Sequence, residues 1–211
     1  MKRAFQICIG ITIILFVTAI CIYNILPARI PTHWGASGQA DGFGGKFMIF
    51  LMPVISLVLT FGLYYLPRID PKRGNIEASG MAYPAVMISA VTIMAVIFAI
   101  TVLESFGTRV PVNIIMPIAL GAMFVVIGGF MPQIRPNYFF GIRLPWTLAN
   151  ETVWEKTHKF GGCIFFAFGL LFIVCVILPP PFNFAVPIAG LAVGIMVIAV
   201  YSYMEFRKIG S

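Results

Sequence analysis

The sequence predicts an all-α polytopic membrane protein, a six-transmembrane helical bundle whose amino and carboxyl termini are both cytoplasmic. Composition, the spacing of charged residues and the sidedness of Lys and Arg support this prediction. Of the 211 residues, 60% are hydrophobic and 10% are charged, and the mean hydropathy is +1.00. Soluble domains carry about 25% charged residues, because their surface faces water. Most of the surface of this chain is therefore predicted to face lipid.

The charged residues are spaced so that long apolar stretches lie between them. A transmembrane helix needs about 20 predominantly apolar residues, and each stretch is long enough for at least one helix. The stretch from Lys159 to Glu205 is roughly twice one span. Three consecutive prolines, 179–181, divide it, because proline lacks the amide donor that a helix needs. The predicted spans are 4–26, 47–66, 81–103, 112–131, 161–178 and 183–205.

Lys and Arg are distributed unequally between the two predicted sides. With the amino terminus inside, the inner segments hold eleven of these residues and the outer segments hold three, namely Arg29, Lys46 and Arg109. Bacterial membrane proteins concentrate Lys and Arg on the cytoplasmic side. The net charge of +7 is therefore interpreted as a topological signal. Nucleic-acid binding is not predicted, since the chain has no basic stripe with stacking aromatic residues.

The predicted spans lack the side chains that membrane enzymes and ion-coupled transporters use. They contain no Asp, Glu, Lys, Arg or His away from their ends, whereas ion-coupled transporters bury such groups as relays. No HExxH or GxSxG motif and no CxxC pair occurs. We therefore predict no catalytic residue, no cofactor and no metal site.

The predicted outer loop, residues 26–46, contains two prolines and five glycines, which indicates tight turns. Its candidate ligand-contact residues are His33, Trp34, Asp41 and Lys46. His33 could satisfy loop backbone groups, contact a ligand or bind a metal with Asp41, although two ligands are too few for a zinc site. Trp34 could anchor the loop at the membrane interface or recognise a ligand. Asp41 and Lys46 could form an ion pair across the loop.

The predicted inner loop, residues 132–160, ends in an amphipathic helical stretch. Thr147 is a plausible N-cap for it, and Gly161 and Gly162 would allow a bend where it meets the fifth span. We expect this stretch to lie in the inner interface. The loop carries a larger set of candidate residues for a partner-binding or polar site: Asn137, Arg143, Trp146, Glu151, Trp154 and His158.

These inner residues allow more than one interpretation. Arg143 could present its planar guanidinium to a carboxylate or a lipid phosphate, or it could hold the loop by binding carbonyls at a helix end. Asn137, Trp154 and His158 could hold the structure together or form a shared polar site. Convergence of Asn137, Arg143, Glu151 and His158 in one cavity would indicate a membrane enzyme that acts on headgroups, since histidine can transfer protons near neutral pH.

Two groups of residues resemble a known family. The outer group is Leu26-Pro27-x-x-Ile30-Pro31-x-His33-Trp34-x-x-x-Gly38-x-x-Asp41, followed by Lys46. The inner group is Asn137-Tyr138, Gly141-Ile142-Arg143, Pro145-Trp146-Thr147, Trp154, and Thr157-His158 to Gly161-Gly162. Together they resemble the SdpI family of bacterial immunity and signalling proteins, over nearly the whole chain.

The resemblance implies a function on each side of the cytoplasmic membrane. Outside, the protein would give immunity to a secreted peptide toxin, and inside it would signal the presence of the toxin by sequestering a cytoplasmic repressor. It also implies two regions, residues 1–80 with the first two spans and residues 81–211 as the SdpI-like region with four spans. The alternatives are a transporter or flippase for a small amphiphile, which needs a polar path between the loops, and a lipid-modifying enzyme.

Overall fold

The computed structural model describes residues 1–209, which form eight α-helices and one two-stranded sheet. Short 3₁₀ turns extend several of the helices. The elements in chain order are α1 (Lys2–Ile22), β1 (Arg29–Trp34), β2 (Ala40–Gly45), α2 (Leu51–Tyr65), α3 (Arg73–Ala78), α4 (Ala82–Ser105), α5 (Val112–Phe130), α6 (Pro145–Ala149), α7 (Glu151–Val174) and α8 (Phe182–Ile209).

Within this described part of the chain, six helices are long and apolar enough to cross a membrane. With their 3₁₀ extensions they are Lys2–Ile22, Lys46–Ile69, Ala82–Ser105, Val112–Gln133, Glu151–Ile177 and Phe182–Ile209. The predicted six-span helical bundle is confirmed, and the chain is a multi-pass membrane protein. Five of the spans begin within a few residues of their predicted positions.

The fifth span begins ten residues earlier than predicted. α7 runs unbroken from Glu151 to Val174, so the predicted interfacial helix with a bend at Gly161 and Gly162 is wrong. The N-cap is Asn150 rather than Thr147: the Asn150 side chain accepts a hydrogen bond from the backbone amide of Val153 at 3.1 Å. A side-chain oxygen at this position satisfies an amide that has no partner within the helix.

Opposed glycines bring α5 and α7 into close contact. Gly121 and Gly128 are seven residues apart on α5, and Gly162 and Gly169 have the same spacing on α7. A Cβ built on Gly121 would lie 2.6 Å from the carbonyl oxygen of Gly169, and one built on Gly162 would lie 2.8 Å from that of Gly128. Small residues let membrane helices approach backbone to backbone. Gly162 is therefore needed for packing rather than for a bend.

The other half of the bundle is built around α4, which packs against α1, α2 and α5. Buried hydroxyl groups join α1 to α2: the Thr12 Oγ1 lies 3.0 Å from the Ser56 hydroxyl and 3.4 Å from the Thr60 hydroxyl. Thr12 also donates to the carbonyl of Cys8 at 2.8 Å. Hydrogen bonds of this kind hold helices together in lipid. The division of the chain at residue 80 stays a prediction.

The hairpin of β1 and β2 and the connection at residues 134–144 lie at opposite ends of the bundle. The hairpin end contains residues 23–50, 106–111 and 178–182. The first turns of α5 and α8 meet at this end, where the Asn183 side chain donates to the Asn113 carbonyl at 2.8 Å. The basic end contains residues 66–81 and 131–150 and the adjoining ends of α1, α7 and α8. The eleven Lys and Arg predicted to be inside all lie at this second end, as expected for a cytoplasmic face.

Candidate functional site

The predicted outer loop is an ordered β-hairpin. Its antiparallel strands pair Arg29 with Gly45 at one end and Trp34 with Ala40 at the other. The turn contains Gly38 with a φ of 79°, a conformation that glycine adopts readily. A Cβ at Gly38 would lie 2.7 Å from the backbone nitrogen of Asn113, so the turn also needs glycine to rest on the first residues of α5.

His33 and Asp41 face each other across the strands on the exposed side of the hairpin. The His33 Nδ1 lies 2.5 Å from the Asp41 Oδ1, and the two side chains are 72% and 55% exposed. Within residues 1–209, Asp41 therefore pairs with His33 and not with Lys46. Lys46 instead places its Nζ 4.7 Å from the ring centroid of Tyr23, a cation–π contact.

Trp34 fixes the hairpin to the rest of the protein. Its indole Nε1 donates a hydrogen bond to the Glu104 Oε2 at 2.6 Å, at the end of α4. The Trp34 side chain is half-buried. This geometry supports the anchoring interpretation of Trp34, with a helix end rather than lipid as the anchor.

An open cleft of about 650 Å³ lies between the hairpin and the turn that joins α4 to α5. None of the four predicted outer residues lines it. Its polar lining includes Arg29, Ser37, Gln39, Glu104, Ser105, Thr108, Arg109 and Asn113. The sequence argument used Arg29 and Arg109 only as signals of topology. Their joint position in one cleft depends on tertiary packing.

At the basic end, Asn137 is buried with 1% of its surface exposed and holds the loop around it. Its Oδ1 accepts hydrogen bonds from the backbone amides of Phe139 and Phe140, each at 2.8 Å. Its Nδ2 donates to the Arg135 carbonyl at 2.8 Å. These contacts support the structural interpretation of Asn137.

Trp154 and His158 are fully buried one helical turn apart on α7, with stacked rings whose centroids lie 4.2 Å apart. The Trp154 Nε1 donates to the Ile134 carbonyl at 2.7 Å. The His158 Nε2 accepts from the Ile142 amide at 2.9 Å, which leaves Nδ1–H to donate to the Trp154 carbonyl at 2.9 Å. Both rings therefore bind the backbone of the 134–144 connection to α7.

Arg143 and Trp146 are also used within the fold. The exposed Arg143 donates from Nη1 to the Tyr138 carbonyl at 2.5 Å. Arg143 therefore holds the loop through a carbonyl of the loop itself, rather than through a helix-end carbonyl. The Trp146 Nε1 donates to the Ser202 hydroxyl at 2.8 Å, which joins α6 to α8. Arg143 retains exposed surface for a partner.

Asp70, which was not among the predicted site residues, links the two connections at the basic end. This carboxylate is 7% exposed. It accepts hydrogen bonds from the backbone amides of Lys72 at 2.7 Å and Tyr138 at 2.8 Å. The signal in the sequence was that Asp70 is the lone acidic residue of an otherwise basic link. A carboxylate that becomes buried needs hydrogen-bond donors around it.

A second cleft, of about 640 Å³, opens at the basic end. Glu151 is the one predicted inner residue that lines it. Asn137, Arg143 and His158 gather around the 137–143 segment instead, where they bind backbone groups. The convergence in one cavity that a headgroup-acting enzyme would need is absent from residues 1–209. The cleft lining is Asn75, Ala78, Gly80, Pro132, Gln133, Ile134, Arg135, Pro136, Glu151, Glu155 and Lys159.

Comparison with known proteins finds two family models that match separate parts of the chain. The model of the SdpI/YfhL protein family matches residues 133–204, from the basic-end connection through most of α8. Residues 133–204 are thus similar to that family. A second model, a domain of unknown function (DUF1648), matches residues 10–57, which include the hairpin.

A curated relative extends this SdpI similarity to almost the full length. The immunity protein SdpI of Bacillus subtilis (strain 168) is 26% identical over 196 residues, which is 92% of this chain and 91% of that protein. The resemblance predicted from the sequence is confirmed. No solved structure gives a significant match.

Proposed function

We propose that this chain is an immunity protein of the cytoplasmic membrane, which protects a bacterium from a secreted antimicrobial peptide. The observation that carries the proposal is the similarity to the Bacillus subtilis immunity protein over 92% of the chain. The similarity includes both the hairpin and the basic-end connection, so it covers the parts that would face the toxin and the cell interior.

The hairpin is the toxin-facing element in this proposal. Trp34 and Gly38 hold it against α4 and α5, so that it presents a fixed surface. The side chains of His33 and Asp41 remain more than half exposed and supply one donor-acceptor pair to a peptide. Lys46 lies at the base of β2, where it keeps the hairpin close to Tyr23.

The basic end is the signalling element, which would hold a cytoplasmic repressor at the membrane. Arg143 and Glu151 are exposed there, and Glu151 lines the cleft of about 640 Å³. The buried Asn137, Trp154 and His158 fix the backbone around these residues. A partner would therefore contact Arg143, Trp146 and Glu151 directly and the buried three only through the loop that they position.

The two rival functions have less support from the geometry. A transporter or flippase needs a polar path between the ends, but the two large clefts share no lining residue, and apolar core clusters lie between them. A lipid-modifying enzyme needs an accessible acid or base, but both ring nitrogens of His158 are used by backbone groups.

Toxin challenge tests the proposal. Deleting the gene should sensitise the producing strain to at least one peptide secreted by itself or its neighbours, and the intact gene should restore resistance. A gene that encodes the same chain without the hairpin residues 29–45 should not restore resistance, provided that the shortened chain still inserts in the membrane. Unchanged sensitivity to every such peptide in the deletion strain would refute immunity.

A further inference from the structure

We propose that the hairpin-end cleft binds a phosphoethanolamine group, the zwitterion that phosphatidylethanolamine carries at the membrane surface. This site lies apart from the exposed face of His33 and Asp41, and the inference goes beyond the proposed immunity function. It rests on the position of the cleft, its charges and its size.

The cleft lies where two spans meet the membrane surface. Glu104 and Ser105 are the last two residues of α4, and Asn113 is the second residue of α5. The headgroup region on each side of a bilayer is roughly 5–7 Å thick. Residues at the ends of two neighbouring spans therefore lie at headgroup depth, where a lipid phosphate is always available.

The cleft is lined by opposite charges that form no ion pair with each other within residues 1–209. The Glu104 carboxylate accepts the Trp34 N–H, and within residues 1–209 it forms no ion pair with Arg29 or Arg109. Arg29 donates to the Phe43 carbonyl at 3.3 Å, a single weak contact. Arg109 makes no hydrogen bond or ion pair within that same part of the chain.

This arrangement matches a ligand that has one phosphate and one primary ammonium group. Guanidinium groups bind phosphate oxygens through paired hydrogen bonds, and the Glu104 carboxylate would accept from the ammonium group. A purely anionic headgroup would leave Glu104 without a cation. A quaternary choline headgroup has no N–H to donate. The volume of about 650 Å³ lies within the usual range of ligand sites, about 300–1,000 Å³.

Lipid retention by the full-length protein tests the site. The chain is incorporated into nanodiscs with equal fractions of phosphatidylethanolamine, phosphatidylglycerol and phosphatidylcholine, and retained lipids are counted by native mass spectrometry. We expect phosphatidylethanolamine to be enriched. Arg29→Gln and Arg109→Gln should each lower its retention by about tenfold, since each removes a charge-assisted contact.

The Glu104→Gln variant tests recognition of the ammonium group separately from recognition of the phosphate. Its amide oxygen can still accept the Trp34 N–H, so the hairpin should stay docked. This variant should lose the preference for phosphatidylethanolamine over phosphatidylglycerol while total phospholipid binding persists. Arg207→Gln, an exposed arginine at the basic end, is the matched control and should change nothing.

Soluble phosphoethanolamine distinguishes a lipid headgroup from a free compound. Direct binding of the soluble compound, with loss of retained lipid, would support the same cleft chemistry with a ligand from solution. Retention of lipid without soluble binding would support the membrane as the source. If the native protein shows no preference and binds no soluble phosphoethanolamine, or if Arg207→Gln weakens retention equally, the proposal is overturned. Neither the lipid-retention measurement nor the measurement of soluble phosphoethanolamine binding depends on toxin protection.

Discussion

At the residue scale, the polar groups at the basic end are mostly used to fix the backbone. Asn137 and His158 bind backbone amides, and Trp154 binds a backbone carbonyl. The residue types were identifiable from the sequence, but their roles were not. Whether a histidine faces a cavity or a backbone amide depends on the path of a loop sixteen residues away, and no local pattern contains that information.

The His33→Ala substitution tests the toxin-facing role of the hairpin. We expect protection against the peptide toxin to fall at least about tenfold, because a donor to a charged group is lost. The free energy of unfolding should change by less than about 1 kcal/mol, since exposed pairs contribute little. The measurement is the inhibitory concentration of toxin at equal membrane protein levels. The control is Thr32→Ala at the neighbouring exposed position, and the protein with this substitution should give full protection.

The Arg143→Ala substitution tests the signalling role of the basic end. We expect induction of the repressor-controlled promoter to be lost, because the exposed guanidinium can no longer bind a partner carboxylate. Protection should remain, since His33 lies at the opposite end. A promoter reporter and a toxin assay on the same strain measure both. Arg207→Ala is the control, and equal loss of both readouts in Arg143→Ala would contradict two separate sites.

At the scale of elements, apolar stretch length predicts the helices well but not their starts or the hairpin. The start of α7 was missed because charged residues in its first two turns resemble an interfacial segment, although Asn150 caps them directly. β1 and β2 were missed because Pro31 and the glycines of β2 are poor strand formers. The hydrogen bond from Trp34 to Glu104 at the end of α4 stabilises the hairpin, whose own strand propensity is low.

Adjacent glycines on α5 provide a matched test of helix packing. A Cβ on Gly128 would meet the backbone of α7, whereas Gly129 has nothing within 4 Å. Gly128→Ala should therefore lower the melting temperature of the detergent-purified protein by several degrees, in line with a cost of about 1–3 kcal/mol for overpacking. Gly129→Ala should leave it unchanged or raise it slightly, because alanine favours the helix. Equal melting temperatures would contradict the close α5–α7 contact.

At the scale of the whole molecule, hydropathy and charge predict six spans and two specialised ends because both are additive along the chain. The clefts cannot be predicted by summing residue properties along the chain. They arise where separate connections meet, as Arg29 and Arg109 do at the hairpin end. Sequence reasoning therefore located the ends that could carry function but not the surfaces within them.

Labelling of an introduced cysteine tests the orientation of the bundle. Ser37→Cys in the hairpin should react with a membrane-impermeant maleimide in intact cells, because the eleven-to-three distribution of Lys and Arg predicts that the hairpin lies outside. Thr152→Cys at the start of α7 should react only after permeabilisation. The native cysteines lie within spans, and the unsubstituted chain gives their background. The reverse pattern would contradict the predicted topology.

The opposed glycines of α5 and α7 restrict which sequences can share this architecture. Mutational compensation in a protein interior usually pairs a larger side chain with a smaller neighbour. Here the neighbour is backbone, and glycine has no side chain to shorten, so no partner substitution can make room. Among relatives with the same helix spacing, positions 121, 128, 162 and 169 should resist change singly and should not co-vary. A bulky residue at any one of them would mark a relative in which the two helices stand farther apart.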